Sequence, residues 1–184
     1  MTSIRVISGK YGGRKLDAPA DSNTRTKPMG ERIRNAMFNI IGTEVSNADV
    51  LDAFAGTGAV GFEALSRGAA HVTFVERDRT AQELISHNMQ VLGTGETAEL
   101  VRASLGAWID SSDSHTYDII FADPPYQDLQ LSTVSRTLGL LKPNGLMVLS
   151  HTGRGEVPNL ENGIVVVDNR SYGNAHLTFF RREE

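Results

Sequence analysis

The chain has 184 residues, a formal net charge of −4, 40% hydrophobic residues and no cysteine. That length fits one domain able to bury a core without staples, and the cysteine count excludes disulfides, thiolate metal sites and cysteine nucleophiles. Apolar runs fall short of a bilayer span and the amino terminus lacks an apolar signal core, so a cytoplasmic protein with no membrane partner is the expectation.

The charge is unevenly spread. Residues 1–41 carry Arg5, Lys10, Arg14, Lys15, Arg25, Lys27, Arg32 and Arg34 against Asp17, Asp21 and Glu31. The rest of the chain carries ten basic and nineteen acidic residues. A basic arm on an acidic body points to a polyanionic partner; a solvated basic face has the same composition.

In chain order, Ile4 to Ser8, a glycine-rich turn at Gly9–Gly13 and Arg14–Leu16 predict a hairpin. Gly30 to Ile41 predicts a helix with Ile33, Met37, Phe38, Ile40 and Ile41 on one face. Strands are expected at 50–54, 71–75, 100–102, 117–122, 146–149, 164–167 and 177–180. Helices are expected at 59–67, 79–92, 105–110 and 129–141. Strand and helix alternate before a closing strand pair, which predicts an α/β doubly wound sheet. Ligands in such sheets sit at the carboxyl ends of strands. Asp52, Glu76 and Asp123 all fall there.

Gly56-Thr57-Gly58-Ala59-Val60-Gly61 follows a strand and opens a helix, the context that gives G-x-G-x-x-G its meaning. Glu76 lies at the end of the next strand, where a carboxylate can accept both hydroxyls of a ribose. A dinucleotide would bring a pyrophosphate to the helix start, and Asp52 would repel it. S-adenosylmethionine carries an amino group, a sulfonium and no phosphate, so Asp52 favours it over NAD.

Asp123-Pro124-Pro125-Tyr126 ends the 117–122 strand. Two prolines forbid continued pairing and an immediate helix. The exposed groups are acceptors: the Asp123 carboxylate and the Asp123 and Pro124 carbonyls, beside the flat ring of Tyr126. Such a cluster suits the exocyclic amine of a nucleobase; acceptors for both its protons localise the lone pair for attack. A plain surface turn uses the same residue types. The histidines show no i, i+4 pair, so no metal site is expected.

Together Asp52 to Gly58, Glu76 and Asp123 to Tyr126 resemble class I S-adenosylmethionine-dependent methyltransferases acting on exocyclic amines. More narrowly, the chain resembles the RsmD-like 16S ribosomal RNA guanine-N2 methyltransferases. Arg5–Gly9, Gly12–Leu16, Thr26–Pro28, Glu31–Arg34, Met37–Asn39, Gly61–Ala69 and Tyr172-Gly173 carry that closer match. The resemblance implies a Rossmann-like fold, mostly parallel, with an antiparallel closing pair and a small hairpin-and-helix extension. It implies an arm at residues 1–42 and a catalytic domain at 43–184. It places the donor on Asp52, Phe54, Ala55, Gly56, Thr57, Gly58, Glu76, Arg77, Ser104 and Leu105, and the target amine on Asp123, Pro124 and Tyr126. Arg5, Lys10, Arg14, Lys15, Arg25, Lys27, Arg32 and Arg34 would contact RNA. The implied product is S-adenosylhomocysteine, the implied partner 16S rRNA in an assembling or assembled small ribosomal subunit, and the implied state a monomer. Ala103-Ser104 stands where many relatives have an Asp. The rivals are an adenine-N6 methyltransferase on DNA or RNA, an NAD-dependent oxidoreductase, and an assembly factor that binds a nucleoside without turnover.

Overall fold

A computed structural model describes residues 3–19, 29–112, 115–153, 158, 160 and 163–184. A short hairpin, β1 (Ser3–Arg5) and β2 (Lys15–Asp17), leads to α1 (Glu31–Ile41). Then come β3 (Asp49–Asp52), α2 (Ala59–Ser66), β4 (His71–Glu76), α3 (Arg79–Leu92), β5 (Ala98–Arg102), α4 (Leu105–Ser111) and β6 (Tyr117–Ala122). The chain closes with α5 (Leu131–Leu138), β7 (Leu141–His151), β8 (Ile164–Tyr172) and β9 (Ala175–Arg182). The sheet runs β5-β4-β3-β6-β7-β9-β8. Its first five strands are parallel and its last two antiparallel, as the sequence pattern predicts.

The parallel strands are buried on both faces, which explains their continuous apolar runs. On one face Val50, Phe74, Phe121 and Val148 pack with Phe38, Phe62 and Ile85. On the other, Leu51, Ile120 and Met147 pack with Leu105, Val134 and Leu138. The hairpin shares the first of these cores through Ile4, Val6, Tyr11 and Leu16.

Several boundaries differ from the sequence reading. The last helix stops at Leu138, where the Gly139 N–H caps it, instead of reaching 141. Leu141 instead opens β7 opposite Tyr117, and a register shift between Tyr117 and Ile119 absorbs Pro143-Asn144-Gly145. The closing strands are longer than expected because they form one hairpin about Gly173, whose φ is +63°.

Every residue of α2 is buried. A helix is buried all round only if something covers the side away from the sheet, and here the hairpin does so. Glu63, with no exposed surface, accepts from the backbone N–H of Ile7 at 2.9 Å and of Ser8 at 3.2 Å. Arg67 donates to the same carboxylate at 2.9 Å. Ser66 receives the N–H of Tyr11 on its hydroxyl at 2.8 Å and that of Lys10 on its carbonyl at 2.7 Å. Gly9 is required here: its φ is +86°, and a Cβ would sit 1.9 Å from the Ser66 carbonyl oxygen.

Removing one partner of a buried charge cluster costs about 3–5 kcal/mol. Glu63→Ala is therefore expected to lower the melting temperature by at least about 5 °C and to expose the loop between β1 and β2 to protease. An unchanged melt with the hairpin still resistant would remove this clamp from the account.

Candidate active site

The parallel register builds the site. Asp52 ends β3 level with Phe74 on β4 and Phe121 on β6. Glu76 and Asp123 lie two residues further along those neighbouring strands, about 7 Å higher at the usual rise per residue. Asp52 is thus a floor, 3% exposed, with Glu76 and Asp123 as half-buried walls on either side. All three line one cleft of about 1170 Å³.

The glycine loop ties the floor to one wall. The Gly56 N–H donates to Glu76 Oε2 at 2.6 Å, and the Asp78 N–H donates to Oε1 at 2.8 Å. Each carboxylate oxygen therefore keeps acceptor capacity. The Gly61 N–H donates to Asp52 Oδ2 at 3.0 Å. The three glycines have different jobs. Gly56 has φ +55° and open space where a Cβ would be. Gly58 has φ +80°, and its Cβ would come within 2.7 Å of the Phe62 ring. A Cβ on Gly61 would meet the Phe74 ring at 2.3 Å, so Gly61 serves helix-on-sheet packing. Phe54, Ala55, Thr57, Arg77, Ser104 and Leu105 also line the cleft. The Ser104 hydroxyl caps α4, accepting from the Ala107 N–H at 3.4 Å.

On the opposite wall Pro124 is buried, while Pro125 and Tyr126 are exposed. The Tyr126 hydroxyl lies 3.1 Å from Ser150 Oγ. Ser150 is buried, and its side chain acts on the Asp123 carboxyl to favour the ionised form. The mouth is framed by Met29, Gly30 and Ile33 next to α1 and by Tyr172, Asn174 and Ala175 at the β8–β9 turn. The sequence reading assigned none of these, nor Ser150. The only signal for Ser150 is a polar residue closing the apolar run Leu146–Leu149.

Crowding shows in the acidities. Burial is the main cause that pushes Asp52 up to about 7; the Gly61 N–H opposes it, and repulsion from Asp123 and Glu76 adds to it. Burial pushes Asp123 up to about 6, opposed by Ser150. Free of ligand, this site resists carrying its full negative charge.

The basic residues of the arm differ in their surroundings. Lys10 sits 5.2 Å from the Tyr11 ring centroid, and Lys15 and Arg32 are exposed without an ion-pair partner among the described residues. Arg14 is exposed and donates to the Val91 carbonyl at 2.9 Å. Arg5 pairs with Glu31 at 2.7 Å on the surface. Arg34 departs from the expected phosphate contact. It is 2% exposed, and its guanidinium donates to the carbonyls of Arg5 at 2.7 Å and Met29 at 3.1 Å. Its register on α1 turns it inward with Met37 and Phe38, so it pins the hairpin to the helix. Arg25 and Lys27 lie outside the described residues. Among the described residues no group of three or more His, Asp or Glu is arranged to hold a metal ion.

The family described as Conserved hypothetical protein 95 matches residues 4–181. The chain is 36% identical to ribosomal RNA small subunit methyltransferase D of Haemophilus influenzae, over 78% of this chain and 76% of the relative. It is 35% identical to the protein of that name from Escherichia coli K12, over 77% and 68% respectively. The solved structure of the yhhF protein of Escherichia coli superposes with a TM-score of 0.87 at 29% identity, covering 99% of both chains.

The raised pKa values fix the sign of a pH effect. Both carboxyls hold protons more tightly folded than unfolded, so their contribution favours the fold below about pH 4 and is lost as pH rises through about 6 to 7. Asp52→Asn, which keeps an acceptor for Gly61, should therefore gain stability relative to the wild type as pH rises from 5 to 7.5. Melting curves across that range check it; a gap that is constant or narrows contradicts the shifted acidity.

Proposed function

The chain belongs to the RsmD family, described as Conserved hypothetical protein 95, and on that premise we propose that it methylates the exocyclic N2 of a guanine in small-subunit ribosomal RNA. S-adenosylmethionine is the donor; it supplies an electrophilic methyl on a sulfonium and leaves as S-adenosylhomocysteine. The observation that carries the reading is the shared cleft, with Glu76 on one wall, Asp123 and Tyr126 on the other, and Asp52 beneath. The names of the 35–36% identical relatives supply the ribosomal RNA.

The residues present fit the donor. The spare acceptor capacity of Glu76 suits ribose hydroxyls. The open space over Gly56 lets a ligand approach the backbone. A cation in the cleft would offset the burial, and the lesser repulsion, that raise the pKa of Asp52; the pyrophosphate of NAD would add to the repulsion, which counts against the oxidoreductase reading. Leu105 and Ser104 are the candidates to hold adenine.

On the target side, Asp123 and the Pro124 carbonyl accept the two N2 protons. That draws the nitrogen lone pair out of conjugation and aims it at the methyl. Pro124 and Pro125 keep the acceptors fixed, so little reorganisation accompanies the step. Tyr126, 42% exposed, offers its ring for stacking on the flipped base, worth about 1–3 kcal/mol. Asp123 accepts its bond most strongly when ionised, and only then can it also take the proton that N2 sheds. Residues 1–42, with Lys10, Arg14, Lys15 and Arg32 at the surface, form the arm that meets RNA phosphates, joined by Arg5 where Glu31 yields it. The partner is the small subunit, assembling or assembled, met by a monomer in the cytoplasm.

Labelled S-adenosylmethionine offered to unmethylated small subunits and to naked 16S rRNA tests the reading. Nucleoside digestion is expected to place the label in N2-methylguanosine; label in N6-methyladenosine would transfer the site to the adenine rival. Asp123→Ala should lose at least about 100-fold in turnover while binding S-adenosylhomocysteine normally. Glu76→Ala should weaken that binding at least about tenfold. The acid limb of kcat/KM should fall near pH 6, where Asp123 takes a proton.

A further inference from the structure

We infer that Ser150 is a positioning residue: its hydroxyl fastens the Tyr126 ring and the Asp123 carboxylate to each other, so that the stacking platform and the amine acceptor move as one unit. The inference rests on the reading that this wall receives the target base, and it assigns a role to a residue that touches neither base nor donor.

The register puts Ser150 in place. Ala122 pairs with Leu149 at the carboxyl edge of the two central strands, so the next residue on each strand is Asp123 and Ser150. Ser150 is 2% exposed, and Thr178 and Leu177 of β9 are buried beside it. A buried hydroxyl needs partners; this one has the Tyr126 hydroxyl at 3.1 Å, and the Asp123 carboxyl stands next to it in register, close enough for Ser150 to favour its ionised form.

The order of protons follows from the groups. An ionised carboxylate only accepts, whereas a serine hydroxyl has one proton and spare lone pairs. With Asp123 ionised, Ser150 donates to Asp123, and the Tyr126 hydroxyl must then donate to Ser150. The chain of bonds runs one way, from phenol to serine to carboxylate. When Asp123 takes a proton, that order is no longer enforced and the ring loses its fixed tether.

The tether is needed because the prolines do not supply it. Pro124 and Pro125 freeze the backbone, but Tyr126 projects from an exposed turn and its side chain retains two rotatable bonds. Among the described residues, Ser150 is the hydrogen-bond partner of its hydroxyl. A base stacked on a loose ring would present N2 to Asp123 at a varying angle, and misplacement of about 1 Å can cost about 100-fold.

The test compares Ser150→Ala, Ser150→Thr and Tyr126→Phe with the wild type. Ser150→Ala should lower kcat about 10- to 100-fold with S-adenosylhomocysteine affinity within about twofold. Its acid limb should move to higher pH, because the donor that favours ionised Asp123 is gone. Ser150→Thr keeps a hydroxyl and should restore most of the rate and the position of the limb. Tyr126→Phe keeps the ring, and the double variant Tyr126→Phe with Ser150→Ala should be less impaired than the product of the two single effects. Rates are taken on whichever base accepts the label, so an adenine product would overturn the proposed base and still test Ser150. If no base is labelled, the Asp123 carboxyl titration followed by carbon-13 NMR in wild type and Ser150→Ala decides instead. A near-normal rate with an unmoved limb or titration, or a Ser150→Thr variant as impaired as Ser150→Ala, overturns the inference.

Discussion

Parallel strand register is the constraint on which the site depends. It forces the ends of β3, β4 and β6 to one rim, and the sequence puts a carboxylate at or just past each. Three acids so close would ordinarily be separated by solvent. Here burial of Asp52 denies them that, and its acidity shifts accordingly. A fold that tolerates such crowding stores unfavourable charge where a cation is wanted. The same geometry explains why Asp52 sits lower than its neighbours: it ends its strand two residues earlier, and the loop that follows closes over it through Gly61.

A second buried acid makes the amino-terminal hairpin part of the same body. Glu63 gathers two hairpin N–H groups and Arg67 around one carboxylate on α2. Arg34 holds the other side of the hairpin by the Arg5 carbonyl. α2 begins directly after the glycine loop, so the surface that carries Lys10 and Arg14 is joined to the cleft through one short helix. RNA docked on that surface would be registered against the site without a flexible linker between them. This coupling makes the inward turn of Arg34 intelligible: a cation spent on positioning serves recognition indirectly.

Much of this was legible in the sequence because it follows from periodicity and punctuation. Alternating strands and helices gave the sheet, and the glycine spacing with Glu76 marked one wall while Asp-Pro-Pro-Tyr marked the other. What was not legible depends on contacts between distant segments. Arg34 reads as one more basic residue in a basic arm until the helix phase is known. Ser150 reads as the polar end of a strand until β6 lies beside it. The early start of β7 was hidden by Pro143-Asn144-Gly145, whose turn chemistry outweighed the apolar Leu141 that pairs with Tyr117. The frame at the cleft mouth joins residues near 30 to residues near 174, and no local pattern links them.

The charges on the two walls also bear on the order of events. Repulsion from Asp123 adds to the burial that raises the pKa of Asp52, so the charge on the target wall is felt at the floor. A cationic donor seated over the floor favours ionised Asp52 and, through the same field, ionised Asp123. On the proposed reading, donor binding readies the carboxylate that is to accept from the target amine. Methyl transfer would remove the sulfonium charge while Asp52 and Glu76 stay in place, so the product would lose part of the attraction that held the donor. On the proposed reading, the crowding that burdens the empty site thus favours donor entry, acceptor ionisation and product exit through one electrostatic balance.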